Sequence, residues 1–253
     1  MKKLTTLLFA IAFFSGMTLA QNNTSTVTQS GQDHETTIEQ VGTLNYANVD
    51  QSGNGQGNSN GNKTDLTQVS DAGSSTAYIT QERVNNDVFL YQEGFNTADI
   101  QQTNTSSLIR NFTNTGAATQ ISLGALNTLE VDQAGTNSKL YIDQLVGGNT
   151  AIVTQGTAPG YIGNLRNRAW ILQDSEGNSV ELLQVEALND ATIKQYDGGL
   201  HLAEIDQLGN RNTTLLTQNG MSNSAFVTQS GAYDTATITQ SGMGNTSTVT
   251  QSN

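Results

Sequence analysis

The sequence predicts an all-β chain, a two-sheet β-solenoid of about ten 22-residue coils, each strand-turn-strand and stacked in cross-β fashion. Three observations lead there. A glutamine recurs eighteen times from Gln29 to Gln251, and eleven of the seventeen spacings are 11 residues. The residue two before it is aliphatic in all eighteen cases and β-branched in fourteen. A glycine stands two residues after it in nine units, so the repeat reads N-x-A-x-[I/V]-x-Q-x-G-x-x-N.

Within each unit the positions six, four and two before the glutamine, and the glutamine itself, alternate with period 2. That is the signature of a strand with one inward face. Asn occupies the first slot in thirteen units, and Ala the second in nine. The third slot forms an aliphatic seam through Val27, Ile38, Val49, Ile142, Ile193, Ile205, Val227, Ile238 and Val249. The fourth supplies an amide ladder through Gln29, Gln40, Gln51, Gln144, Gln184, Gln218, Gln229, Gln240 and Gln251. Asn45, Asn178, Asn189, Asn212, Asn223 and Asn245 are expected to add a second row of stacked side-chain amides. An inward amide is tolerable only when its hydrogen bonds are made, and stacking identical residues makes them. Gly31, Gly42, Gly53, Gly209, Gly220, Gly231 and Gly242 then supply the turn, where positive φ is available at low cost.

A five- or six-residue strand and a five-residue turn fill each 11-residue unit, and two units make one coil. Coils stacked at about 4.8 Å give a prism about 45–50 Å long. The array tolerates interruptions. Polar loops are expected near residues 52–62 and 156–166, the second holding the chain's single proline, Pro159, where it costs no ladder bond. Between Gln102 and Gln133 two degenerate units are expected, one on Ile109 and Asn111 and one on Ala118, Gln120 and Ser122.

Residues 1–20 differ from the array. Lys2 and Lys3 precede an apolar run from Leu7 to Phe14, and Thr18, Leu19 and Ala20 give a small-residue cleavage pattern. These are the marks of a secretory signal peptide, too short to span a membrane. The repeat array is expected over residues 21–253 as one solenoid. Removing Lys2 and Lys3 with the leader takes the formal charge from −12 to −14. That balance disfavours nucleic acid and anionic membrane surfaces as partners and, with no second apolar stretch, argues against an integral membrane protein. The chain has no cysteine, so cohesion falls to the repeated backbone ladder and not to disulfides.

The unit resembles the curlin repeat, Ser-x5-Gln-x-Gly-x2-Asn-x-Ala-x3-Gln. Gln218, Gly220, Asn223, Ala225 and Gln229 carry that spacing, as do Gln40, Gly42, Asn45, Ala47 and Gln51. The resemblance implies a secreted subunit of a curli-type functional amyloid that polymerises into extracellular fibres for biofilm matrix and adhesion. Its implied partners are further copies of itself, other curlin subunits and an outer-membrane export system. It also leaves open a minor or nucleating curlin, or a monomeric β-solenoid adhesin.

Other constellations point elsewhere only weakly. Glu130/Asp132 and Glu204/Asp206 are outward carboxylate pairs, read as charged gatekeepers against lateral sheet association rather than as catalytic or calcium-binding pairs. His34 and His201 fall in the Asn slot and are read as structural substitutions. The outward Thr pairs form no continuous flat array of the kind ice binding needs. Tyr78, Phe89, Tyr91, Tyr141, Trp170 and Phe226 face outward, either as an adhesive surface or as cross-strand packing. No catalytic, cofactor-binding or metal-ligating set is expected. The array begins at Asn23 and runs to Gln251, leaving no room for a cap, so both ends are expected to stay open for head-to-tail addition.

Overall fold

The computed structural model describes residues 22–252 except 32, 54–60, 71–73, 83–85, 103–107, 116–125, 135–137 and 157–165. The described chain is a succession of strands without a helix. The first seven are β1 (Thr24–Gly31), β2 (Glu35–Gly42), β3 (Tyr46–Gly53), β4 (Lys63–Ser70), β5 (Thr76–Glu82), β6 (Asp87–Glu93) and β7 (Asn96–Gln102). Six follow as β8 (Leu108–Thr115), β9 (Asn127–Gln133), β10 (Lys139–Gln144), β11 (Thr150–Gly156), β12 (Arg168–Asp174) and β13 (Ser179–Val185). The last six are β14 (Asp190–Gly199), β15 (Leu202–Asn210), β16 (Thr213–Met221), β17 (Ser224–Ala232), β18 (Thr235–Met243) and β19 (Thr246–Gln251).

Successive strands alternate between two sheets. One holds the ten odd-numbered strands in sequence order and the other the nine even-numbered strands. The pairings are parallel, and the register places like on like: Val27 on Val49, Gln29 on Gln51, Ile205 on Val227, Gly220 on Gly242. The inner faces of the two sheets enclose a dry column of the Ala and aliphatic slots, from Ala47 and Val49 through Ile142 and Ile193 to Ala236 and Ile238. Parallel strands buried on one face by repeated aliphatics, with polar residues outside, follow directly from the period-2 pattern.

Strands in the C-terminal half are longer than the repeat count suggests. β15 to β18 each run nine residues and carry the pairing past the glycine, so Gly209 sits on Gly231 and Asn210 on Ala232. The corner between β15 and β16 is then only Arg211 and Asn212, and that between β16 and β17 only Ser222 and Asn223. The residue before the Asn slot takes a left-handed conformation, and it is often not glycine: Asp33, Leu44, Leu188, Leu200, Arg211, Ser222 and Tyr233 all have φ between 55° and 64°. The turn is thus made at two left-handed positions, the glycine and this second residue, which the repeat pattern does not mark.

Among the described residues, the interval between Gln102 and Gln133 holds one strand of the stack, β8. Its register differs from the expected one. Ile109 pairs with Val88 and Leu140, in the Ala slot; Asn111 pairs with Leu90 and Ile142, in the aliphatic slot; Asn114 stands in the glutamine row, opposite Gln92 and Gln144. A bulge at Phe112 inserts the extra residue that shifts the phase. The second degenerate unit, at Ala118, Gln120 and Ser122, lies outside the described residues. β9 pairs directly on β7 and β10 directly on β8. The two polar insertions fall between β3 and β4 and between β11 and β12, at corners rather than within strands.

Candidate functional site

The chain's most distinctive chemistry is the pair of glutamine rows. In the ten-strand sheet each Nε2 donates to the Oε1 of the next rung, from Gln29 to Gln51 (2.8 Å), through Gln81, Gln102, Gln133, Gln155, Gln184 and Gln207, to Gln229 and Gln251 (2.9 Å). In the nine-strand sheet the row runs Gln40–Gln68–Gln92 and Gln144–Gln173–Gln195–Gln218–Gln240. The same Nε2 also reaches across the core to a backbone carbonyl at the start of the facing strand: Gln40 to Thr24, Gln184 to Arg168, Gln229 to Thr213. One amide therefore binds up the stack and between sheets. This second role has no counterpart in the repeat pattern. It explains why glutamine suits the slot: two N–H donors and a carbonyl acceptor are all used in a buried site.

The nine-strand row is interrupted at β8, where Asn114 stands in register. Gln144 Oε1 is buried there without a hydrogen bond. Asn114→Gln is expected to supply the missing donor and raise stability by about 1 kcal/mol. An unchanged or lower denaturant midpoint by circular dichroism would count against it.

Asn245 Nδ2 meets Asn223 Oδ1 (3.0 Å), while Asn45, Asn178, Asn189 and Asn212 bond mainly to backbone rather than amide on amide as the sequence suggests. Instead Oδ1 accepts the backbone N–H of the next rung: Asn45 from Ser75 (3.2 Å), Asn189 from Asn212 (3.0 Å), Asn178 from His201 (3.0 Å), Asn223 from Asn245 (3.0 Å), Asn212 from Asp234 (3.1 Å). Nδ2 closes the chain's own turn, as from Asn45 to Val41 O and from Asn189 to Val185 O. The slot asks for an acceptor at a fixed reach, and this accounts for the two histidines found there. His34 Nδ1 accepts from Asn62 N–H (3.0 Å) and His201 Nδ1 from Asn223 N–H (3.2 Å). A backbone N–H can only donate, so both imidazoles carry their proton on Nε2.

The seam residues Val49, Ile142, Ile193, Ile205 and Val227 are buried, while the terminal rungs open: Ile38 and Val249 are half-buried and Val27 is exposed. Six of the seven turn glycines, Gly31, Gly42, Gly53, Gly209, Gly220 and Gly242, have positive φ. Gly231 stands in register with Gly209. The glycines have a further reason beyond φ. A Cβ on Gly31, Gly209 or Gly220 would overlap the carbonyl oxygen of the glycine one rung on, whereas one on Gly242, at the edge, would meet only Asn245 Nδ2 at 3.7 Å.

Outward groups form rows too. Glu130 pairs with Asp99, and Glu204 with Glu181. Among the described residues no group of three or more acidic, His or Cys side chains is arranged to hold a metal ion. Burial raises the carboxyls of Asp132, Asp143 and Asp206 above their ordinary range, and the nearby Glu181 charge adds to the rise at Asp206. A carboxyl raised in the folded state stabilises the fold below its unfolded pKa, and that contribution is lost as pH climbs through the raised value. The chain is therefore expected to be more stable on mild acidification than at neutrality, with Asp143→Asn flattening the dependence. A denaturant midpoint that falls on mild acidification would refute this. Phe89, Tyr141 and Trp170 lie on one row of the nine-strand sheet, with Arg110 between the first two. Lys194 Nζ covers the Trp170 ring at 4.8 Å, and Tyr46 packs on Tyr78 at 5.5 Å, so two of these aromatics take part in cross-strand contacts.

The edges of the stack are β1 and β2 at one end and β18 and β19 at the other. β1 is exposed along its whole length, and Met243 on β18 is 76% exposed. The two ends are complementary. Among the described residues each glutamine–glutamine bond points to the higher-numbered neighbour, so Gln29 and Gln40 present acceptors while Gln240 and Gln251 present donors.

Residues 201–231 and 220–252 match the family described as the curlin associated repeat. A comparison with curated proteins gives no match. The matched region covers β15 to β19, where the glutamine, asparagine and glycine rows are most regular. Among the described residues no helix is long and apolar enough to cross a membrane. Residues 201–252 are thus similar to the curlin associated repeat.

Proposed function

We propose that this chain is a secreted structural subunit that polymerises head to tail into extracellular curli-type amyloid fibres, serving biofilm matrix and adhesion. The observation that carries the reading is the complementarity of the two edges. One presents parallel strands with glutamine acceptors, the other parallel strands in the same register with glutamine donors. Exposed edges of this kind template further strands unless something blunts them. A two-sheet solenoid of about ten coils is then a segment of the fibre, and addition along the stack axis does not close. Residues 1–20 act as the export leader, and residues 21–253 form one array. Other curlin subunits and an outer-membrane export system are the remaining partners, and no catalysis is involved. The irregular middle from Gln51 to Gln133, which holds the bulge in β8, favours a second reading, a minor subunit that nucleates another curlin.

The test is incubation of the purified mature chain with a cross-β dye and inspection by electron microscopy. Dye-positive unbranched fibres are expected. A chain that stays monomeric and dye-negative for days refutes the proposal. Seeding of a second curlin at low molar ratio, with little self-assembly, selects the nucleator.

A further inference from the structure

The strand count sets how one copy meets the next. Successive strands alternate between the sheets, yet the ten-strand sheet holds one strand more than the other. β19 lies in the ten-strand sheet, so the next vacant position in the alternation belongs to the nine-strand sheet, on β18. We propose, resting on the head-to-tail reading above, that an incoming copy docks its β1 on β18 and its β2 on β19, so that successive subunits are related by a half-turn about the fibre axis. The half-turn comes in addition to the gradual twist of the stack. It joins ten strands to nine on both sides, and both sheets run on without a break. The alternative is simple translation, with β1 on β19 and β2 following β18. It leaves a one-strand gap in the nine-strand sheet at every junction, with two unpaired backbone edges facing across it.

The side chains at the open edge fit the half-turn. Along the nine-strand sheet the Asn slot passes its acceptor upward through Asn167, Asn189 and Asn212, and Asp234 donates its N–H to Asn212 Oδ1 (3.1 Å). Asp234 is the last of that row. Its residue is only 9% exposed, and its Oδ2 is buried with no hydrogen bond. With β1 on β18, the residue that arrives opposite Asp234 is Asn23, whose backbone N–H fills the place Asp234 itself fills one rung below. Gln240 then donates to Gln29, Ile238 covers the exposed Val27, and Gly242 meets the Gly31 carbonyl. On the other sheet Gln251 donates to Gln40, and Asn245 faces His34. Each contact repeats one already made inside the chain, such as Gln218 to Gln240 or Asn223 to Asn245.

The chain has no cysteine, so a single label can be placed on the outer face of the nine-strand sheet as Leu215→Cys, at an exposed position on β16. Gold-labelled fibres are then viewed by cryo-electron microscopy. The half-turn places successive labels on opposite sides of the fibre, repeating on one side every 90 Å or so, with a subunit rise of about 46 Å. Deleting one unit, residues 219–229, leaves an even strand number and is expected to bring all labels to one side at about 43 Å spacing. Gly242→Ala puts a methyl group where the next copy's Gly31 carbonyl must pass, and is expected to slow elongation at least tenfold. Gly244→Ala, where a Cβ meets nothing within 4 Å, serves as the control and is expected to leave elongation near wild type. Labels of the parent chain on one side only, at about 48 Å, overturn the half-turn while leaving head-to-tail assembly intact. Equal elongation by the two glycine variants also overturns it. Absence of fibres overturns the assembly reading beneath it.

Discussion

Gln184→Ala is expected to lower stability by about 3–5 kcal/mol. The residue is fully buried in the middle of the ten-strand row. Its removal leaves the Gln155 amide without its 2.7 Å acceptor, the Gln207 carbonyl without its 2.8 Å donor, and the Arg168 carbonyl without its 3.0 Å cross-sheet bond. Each buried orphan costs about 1–3 kcal/mol, and no water-sized route reaches a site already closed by aliphatics. The same substitution at Gln29, on the exposed first strand, is expected to cost less than about 1 kcal/mol, since water replaces what is lost. Guanidinium unfolding of the two variants, followed by far-ultraviolet circular dichroism, makes the comparison. Equal midpoints would mean that the row is decorative.

Gly209→Ala is expected to be as severe, at about 3 kcal/mol or more, for a backbone reason. Its φ is +130°, a conformation that L side chains rarely adopt, and the added methyl would overlap the Gly231 carbonyl. The rung cannot move aside, because β15 is held in register by β13 on one side and β17 on the other. The expected result is a split of the array at that level, read as loss of hydrogen-exchange protection in β15 and β17 ahead of the rest. Protection that falls evenly along the stack would contradict it.

These two sites differ in how openly the sequence declares them. The glutamine row is legible because a single spacing of 11 residues puts Gln29, Gln40 and Gln51 in phase with a β-branched neighbour two residues earlier, and only a stacked strand explains both. The cross-sheet bond from Gln184 to Arg168 is not legible, since it depends on how far apart two sheets sit and not on any pattern within one strand. At the Asn slot, amide stacking looks sufficient because Asn is common there. The signal for its actual role lies in the exceptions: His34, His201 and Asp234 share with Asn a side-chain acceptor and little else. A period-2 count misphases β8 because the bulge at Phe112 adds one residue, and such a count has no means of seeing a residue that belongs to neither face. The left-handed residue before each Asn is invisible for a related reason. Leu44, Arg211, Ser222 and Tyr233 have no shared chemistry, because the stack imposes their conformation from above and below.

The uniform sense of the glutamine bonds has a consequence for heredity of form. An amide in the row cannot reverse alone, since a reversed Gln184 would set its N–H against that of Gln155 and its carbonyl against that of Gln207. The unbroken row of the ten-strand sheet therefore holds a single binary choice, made once and enforced at every rung. A copy that adds to the end must adopt the choice it finds there, and hands it on. Such a fibre transmits orientation as a template transmits a letter, and the first chain to fold sets the sense of every later one.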